Sequence, residues 1–186
     1  MDLRKQIEEF EPINEQEEKD KDFFLKSIDT FDDVLTRNNE FLHFSSSAFV
    51  VNKEHTKMLV VYHNIFDGWV YPGGHADGED DLLQVAIREV EEETAQKVKV
   101  LDKNIYALQA CPIQGHVKRG KYVSAHTHLD VAYLLEADEN NKLSYREEES
   151  KGVKWIPFEE AYGKDMVGFI RPIHKKIIDK INEKFR

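Results

Sequence analysis

Apolar and polar positions along the chain change their period near residue 45. Beyond it, Ser46–Val51 and Met58–Tyr62 are strand-like runs joined by the turn-rich stretch Asn52–Lys57, which predicts a β-hairpin. Trp69–Tyr71 predicts a short strand that stops at Pro72-Gly73-Gly74, followed by a glycine-rich loop. Residues 81–94 consist of good helix formers without Gly or Pro and predict a helix. Val98–Leu101, Ile105–Ala110 and His126–Leu135 predict strands, and Asp138–Asn141 a turn. A charged loop, Tyr145–Lys151, precedes a short strand at Val153–Ile156 and a brief helix at Phe158–Tyr162. Ile170, Ile173, Ile177, Ile181 and Phe185 fall at helical spacing and predict an amphipathic C-terminal helix with a Lys-rich outer face. Strands and helices mix without strict βαβ alternation, which indicates an α+β domain with a mixed sheet.

Residues 1–40 read differently. Phe23, Phe24, Leu25, Phe31, Val34 and Leu35 give a partly helical pattern. Pro12 and the stretch Asn14–Asp22 divide it into two short helices with a solvated link. The expected organisation is a helical N-terminal extension, 1–40, packed in its second half and loose in its first, followed by one domain, 41–186.

Composition narrows the function classes. With 26 basic and 36 acidic residues the chain carries a net charge of −10. That argues against a nucleic-acid binder working through a broad basic surface, so no stable nucleic-acid complex is expected. The single Cys, Cys111, excludes an intrachain disulfide and any CxxC motif, and suits a reducing, cytoplasmic setting. No apolar run approaches membrane-spanning length, so no membrane partner is expected. Eleven Phe, seven Tyr and two Trp are enough for a packed core.

The charge is not spread evenly. Residues 1–40 contribute −7 and residues 74–96 another −7, residues 41–73 sum to zero, and residues 97–186 sum to +4. The second acidic block carries the chemistry. Successive helical residues rotate by about 100°, so Glu89, Glu92 and Glu93 share one face while Glu91 points away. Leu83, Ala86, Ile87 and Val90 form an adjacent apolar face. Three clustered carboxylates repel one another, and hard cations that bridge them relieve the repulsion. Oxygen ligands of this kind select Mg²⁺, Mn²⁺ or Ca²⁺. Arg88 can pair with a neighbouring Glu and fix its rotamer. A lone Glu-rich run is ordinarily a solvated helix face, but here it follows a loop holding Gly73, Gly74 and Gly78 at fixed distance.

The stretch Gly74–Gln96 resembles the 23-residue box of the Nudix hydrolases, Gly-x5-Glu-x7-Arg-Glu-U-x-Glu-Glu-x-Gly-U with U bulky and apolar. Gly74, Arg88, Glu89, Val90, Glu92 and Glu93 match at full spacing, and Gly68-Trp69-Val70-Tyr71-Pro72-Gly73-Gly74-His75 is similar to the family's lead-in. The resemblance covers about residues 45–165. It implies a mixed β-sheet sandwiched between α-helices, a cofactor of Mg²⁺ or Mn²⁺, and hydrolysis of a small-molecule nucleoside diphosphate derivative, in a family where homodimers are common. It makes Arg88, Glu89, Glu92 and Glu93 the catalytic set, with Glu89, Glu92 and Glu93 as metal ligands. Glu149, in the acidic loop before Trp155, is a further candidate ligand. Three positions depart from the motif. The first Glu falls on Asp80, with Glu79 one place earlier. The Gly falls on Ala95, which predicts altered geometry at the helix end. The last apolar position is Gln96. These departures leave open a catalytically weak or inactive nucleotide-binding module on the same scaffold.

Gly73, Gly74, His126 and His128 are candidate substrate-binding residues. His126, His128 and Asp130 alternate along a strand and so share a face, as a cleft lining or as a transition-metal site. The loop Gly115–Tyr122, with His116, Lys118, Arg119 and Lys121, is either a solvated, mobile loop or a reach toward substrate phosphates. Trp69, Tyr71 and Tyr133 are either core aromatics or a stacking platform, and Cys111 is expected to be a small buried residue.

Overall fold

The computed structural model describes residues 2–118, 120–147 and 150–185. Its elements run α1 (Leu3–Glu9), α2 (Glu15–Thr30), β1 (Leu42–Val51), β2 (Lys57–His63), β3 (Gly68–Val70), β4 (Gly73–His75), α3 (Leu82–Thr94), β5 (Lys99–Val100), β6 (Ala107–Ile113), β7 (His116–Lys118), β8 (Lys121–Val123), β9 (His126–Glu136), β10 (Ser150–Pro157), a 3₁₀ turn (Phe158–Glu160) and α4 (Ile170–Phe185).

The N-terminal segment differs from its expectation in two ways. Asn14–Asp22 is not a link: the Asn14 side chain accepts from Glu17 N at 2.9 Å, and Glu17 reaches back to accept from Ile13 N at 3.0 Å, so the helix starts at Glu15. Nor is the first half loose, since Leu3, Ile7 and Phe10 are buried with Phe24, whose ring meets Phe44 edge-on at 5.6 Å. Fully burying side chains of this size stabilises the fold by roughly 1.5–3 kcal/mol each.

One mixed sheet organises the rest, in the order β10-β2-β1-β9-β5, with β3 on β2, β4 on β1 and β6 on β9. β1 and β9 pair in parallel over their length, for example His43 with His128 and Ser45 with Asp130. The sheet lies between helices, as the α+β reading expects. Phe44, Ala48 and Val50 of β1 and Leu129, Val131 and Tyr133 of β9 pack in one core with α1, α2 and α3. Phe49 and Val51, with Ala132 and Leu134, pack in the other with α4. Helix α3 buries Ala86 and Val90 of the expected face together with Leu82 and Val85, and Leu83 and Ile87 pack partly buried against the same core.

Helices from the two layers meet at β6, which among the described residues pairs only with β9. Gln16 Nε2 donates to Leu108 O at 3.1 Å, and Ala110 N donates to Asp20 at 3.0 Å, so α2 covers a strand edge that would otherwise be open. Lys176 of α4 also turns inward there, a departure from the expected Lys-rich outer face.

Two segments expected as loops are strands. Gly73–His75 pairs with Ser45–Ser47 of β1, and the Gly115–Tyr122 segment folds back as β7 and β8, with Val117 opposite Tyr122. Arg119 lies outside the described residues.

Candidate active site

The segment Pro72–Ala95 brings a glycine strand against an acidic helix. A Cβ on Gly73 would lie 2.6 Å from Ser47 Cβ and 2.8 Å from Ser46 O, so only glycine lets β4 close on β1. A Cβ on Gly74 would lie 2.3 Å from the Glu89 carboxyl carbon. Glycine thus lets the backbone touch the carboxylate face of α3. Glu93 is almost fully buried, and its Oε2 accepts from Gly73 N at 3.0 Å.

Arg88 orders the outer side of this face. Its Nη1 donates to Glu79 Oε2 at 2.5 Å, and its Nη2 lies 3.6 Å from Glu89 Oε1. The Glu79 carboxylate holds the guanidinium above its usual range. So Glu79, rather than the aligned Asp80, reaches the arginine. Arg146, from the segment before β10, places Nη1 3.0 Å from Glu92 Oε2. Glu149, the fourth candidate ligand, lies outside the described residues.

The helix end also differs from expectation. Ala95 sits at φ 57°, ψ 20°, and its N–H bonds Glu91 O at 3.0 Å. It adopts the left-handed conformation that the motif assigns to Gly, so the geometry is kept and the strain is local. Gln96 replaces a bulky apolar side chain, is fully buried, and donates through Nε2 to Lys142 O at 3.0 Å.

The carboxylates open onto a cleft of about 1170 Å³ that continues over the sheet. Gly73, Gly74, His126 and His128 all line it, as do His43, His75, Lys118 and Arg146. His43, His75 and His128 have ring centroids 4.8–5.2 Å apart, and His126 stacks on His43 at 4.9 Å. Burial pushes the imidazoles of His43 and His128 below the usual histidine range, and His75 down to about 3. These rings are neutral near pH 7. Asp130 is not part of the histidine group. Its carboxylate accepts from Ser45, Ser47, Tyr71 and Gln109 at 3.0, 2.8, 3.1 and 2.6 Å. Burial raises its pKa above the carboxylate range, against the pull of those donors.

Of the aromatics, Tyr133 is buried in the core and Tyr71 is held by Asp130. Trp69 packs edge-on against Tyr62, under Lys154. Cys111 is buried, and burial pushes its thiol up. It stands within β6.

Sequence reasoning missed His43, His75 and Arg146 as site residues. His43 could have been found from its alternation with Ser45 and Ser47, but its position beside His128 depends on the parallel pairing of strands 85 residues apart. Arg146 stands in an irregular segment that carries no periodic signal.

A family model described as NUDIX domain matches residues 42–181. A protein from Lactococcus lactis subsp. cremoris named "Probable DHNTP pyrophosphohydrolase" is 30% identical over 142 residues, which cover 74% of this chain and 80% of that protein. The fold is similar to that of a NUDIX-family hydrolase from Clostridium perfringens, with TM-score 0.54 and 22% identity, covering 75% of this chain and 97% of that one. It is also similar to a C. elegans Ap4A hydrolase in a binary complex, with TM-score 0.52 and 17% identity, covering 76% and 96%. Among the described residues no helix is long and apolar enough to cross a membrane.

Proposed function

The chain belongs to the NUDIX domain family of pyrophosphohydrolases, and from that premise we propose that it hydrolyses a small-molecule nucleoside diphosphate derivative or triphosphate with the help of Mg²⁺ or Mn²⁺. The observation that carries this reading is the packing of Gly73 and Gly74 against Glu93 and Glu89 on one wall of an open cleft.

The donor set fits a hard divalent ion. Glu89, Glu92 and Glu93 offer only oxygen, from about one turn of a helix, and Gly74 leaves clear the space beside the Glu89 carboxylate that a Cβ would fill. When bound, such an ion offsets charge on a diphosphate and acidifies water for attack on phosphorus. The chain's own residues do the rest. Gly73 N–H fixes the Glu93 carboxylate in place. Arg88, held by Glu79, restrains Glu89 from the outer side. Lys118 and Arg146 bring positive charge to a cleft that receives an anion. His126 and His128, as hydrogen-bonding groups on the sheet side, suit the part of the substrate beyond the diphosphate.

The motif departures do not disturb this arrangement, because Ala95 keeps the helix end and Glu79 supplies the partner of Arg88. The test is a panel of nucleoside triphosphates, sugar nucleotides, Ap4A and DHNTP incubated with the protein and Mg²⁺, with products identified directly. Cleavage between two phosphorus atoms of at least one member supports the reading. Tight binding with no phosphate product would replace it with a binding module.

A further inference from the structure

The carboxylates of α3 share the cleft with a set of nitrogen donors carried by strands of the sheet. His43 on β1, His75 on β4 and His128 on β9 each offer a ring nitrogen, and these atoms lie within 4.8 Å of one another. Two pairings of the backbone place them there. His43 pairs with His128 across the parallel β1–β9 ladder, His75 pairs with Ser45 across β1–β4, and alternation puts all three side chains on one face.

His43 shows that the cluster is short of a partner. The residue is 4% exposed, its Nδ1 lies 3.0 Å from Asn39 O, and its Nε2 is buried with no hydrogen-bond partner among the described residues. A carbonyl on Nδ1 assigns the proton to that nitrogen and leaves a lone pair on Nε2. Metal-bound histidines are held by this same outer contact, which orients the ring and fixes its tautomer. Next to it, His126 Nδ1 lies 2.8 Å from Ser124 O, and His126 Nε2 lies 3.1 Å from His128 Nε2. Ligand nitrogens around a tetrahedral ion, at metal–nitrogen distances of about 2.0–2.1 Å, stand about 3.3–3.4 Å apart. The histidine atoms are therefore within about 1.5 Å of that spacing.

We propose that His43, His75 and His128 form a second metal site, separate from the carboxylates of α3 and selective for a borderline transition-metal ion such as Zn²⁺, Co²⁺ or Ni²⁺. Imidazole nitrogens prefer these ions, whereas all-oxygen sets prefer Mg²⁺ and Mn²⁺. One cleft thus holds two chemically distinct sets, joined by three successive residues: Gly73 bonds Glu93, Gly74 abuts Glu89, and His75 faces His43. Three protein nitrogens leave a coordination position open toward the cleft, in the manner of catalytic rather than structural zinc sites.

The proposal does not depend on the pyrophosphohydrolase reading, and a binding experiment separates the two. Metal-free protein is titrated with Co²⁺ in excess Mg²⁺, followed by visible absorption, and with Zn²⁺ by calorimetry. The same titrations are run on His75→Ala, His128→Ala and the Glu92→Gln/Glu93→Gln double variant. The expected result is one equivalent of Zn²⁺ or Co²⁺ bound by the wild type and the glutamate variant alike. Each histidine variant should bind at least about a hundredfold more weakly, beyond what loss of an outer contact costs. Wild-type affinity in both histidine variants, loss of binding in the glutamate variant, or no binding under excess Mg²⁺ would overturn it. Should a histidine variant fail to fold, X-ray absorption of the Zn²⁺-loaded wild type decides. Imidazole scattering supports the site, and a shell of oxygens alone refutes it.

Discussion

Lys176 Nζ lies 2.7 Å from Glu17 Oε1, and both side chains are buried, at 7% and 0% exposure. The pair joins α2 of the N-terminal segment to α4 around the edge of β6, where Lys176 also reaches Gln16 Oε1 at 2.9 Å. Removing one partner from a buried ion pair leaves the other charge uncompensated, at a cost of about 3–5 kcal/mol. Lys176→Met is therefore expected to lower unfolding stability in urea by about that much, and Glu17→Gln with Lys176→Met together by less than the sum of the single changes. A Lys176→Met protein as stable as wild type would show that the segment is not held by this contact.

Ala95 offers the opposite case, a change expected to stabilise. A left-handed residue other than Gly costs about 1–2 kcal/mol, of which the extra freedom of Gly in the unfolded chain returns part. Ala95→Gly should raise stability by about 0.5–1 kcal/mol in a denaturant titration. A decrease would mean that the conformation at the end of α3 is unstrained.

His174 predicts an acid-sensitive core. Its ring is fully buried, with Nδ1 2.9 Å from Ala161 O and Phe49 and Tyr71 packed against it, and burial pushes its pKa down from 6.5 to about 4. A lowered histidine pKa means that the unfolded chain takes up the proton first. Stability is then complete above pH 6.5 and falls as pH drops from 6.5 toward 4. The slope approaches about 1.4 kcal/mol per pH unit, or about 3 kcal/mol in all. His174→Gln should flatten that slope in urea titrations at several pH values, even if it is less stable throughout. An unchanged slope would assign the acid sensitivity to other groups.

Arg146 competes for Glu92. The two are partly exposed and 3.0 Å apart, a contact of the kind that contributes about 0.2–1 kcal/mol. If Glu92 is a metal ligand, Arg146→Ala should tighten Mg²⁺ binding by about two- to fivefold, measured by calorimetry without substrate. It should also raise KM, because a cation leaves the cleft. Weaker Mg²⁺ binding would indicate that Arg146 positions Glu92 for the ion instead.

Much of this arrangement was legible in the residues because it is local. Glu89, Glu92 and Glu93 share a helix face through periodicity alone, and Gly73 and Gly74 precede that helix at a spacing a single sequence displays. The central strands were legible from Ser46–Val51 and His126–Leu135 for the same reason. What escaped depends on contacts distant in sequence. His43 meets His128 only because β1 and β9 pair in parallel, and no local pattern encodes that choice. The glycine strand β4 has too few side chains to show alternation. In the N-terminal segment Asn14 and Glu17 carried a helix-start signal that the density of charge obscured.

The most direct measurement of the central claim is the steady-state rate of Mg²⁺-dependent cleavage for wild type, Glu92→Gln, Glu93→Gln and the double variant, on whichever substrate the panel identifies. Each single change should lower kcat by at least about a hundredfold, as loss of transition-state charge stabilisation does, with circular dichroism unchanged. A double variant that turns over as fast as wild type would contradict the assignment of these carboxylates, and with it the proposed mechanism.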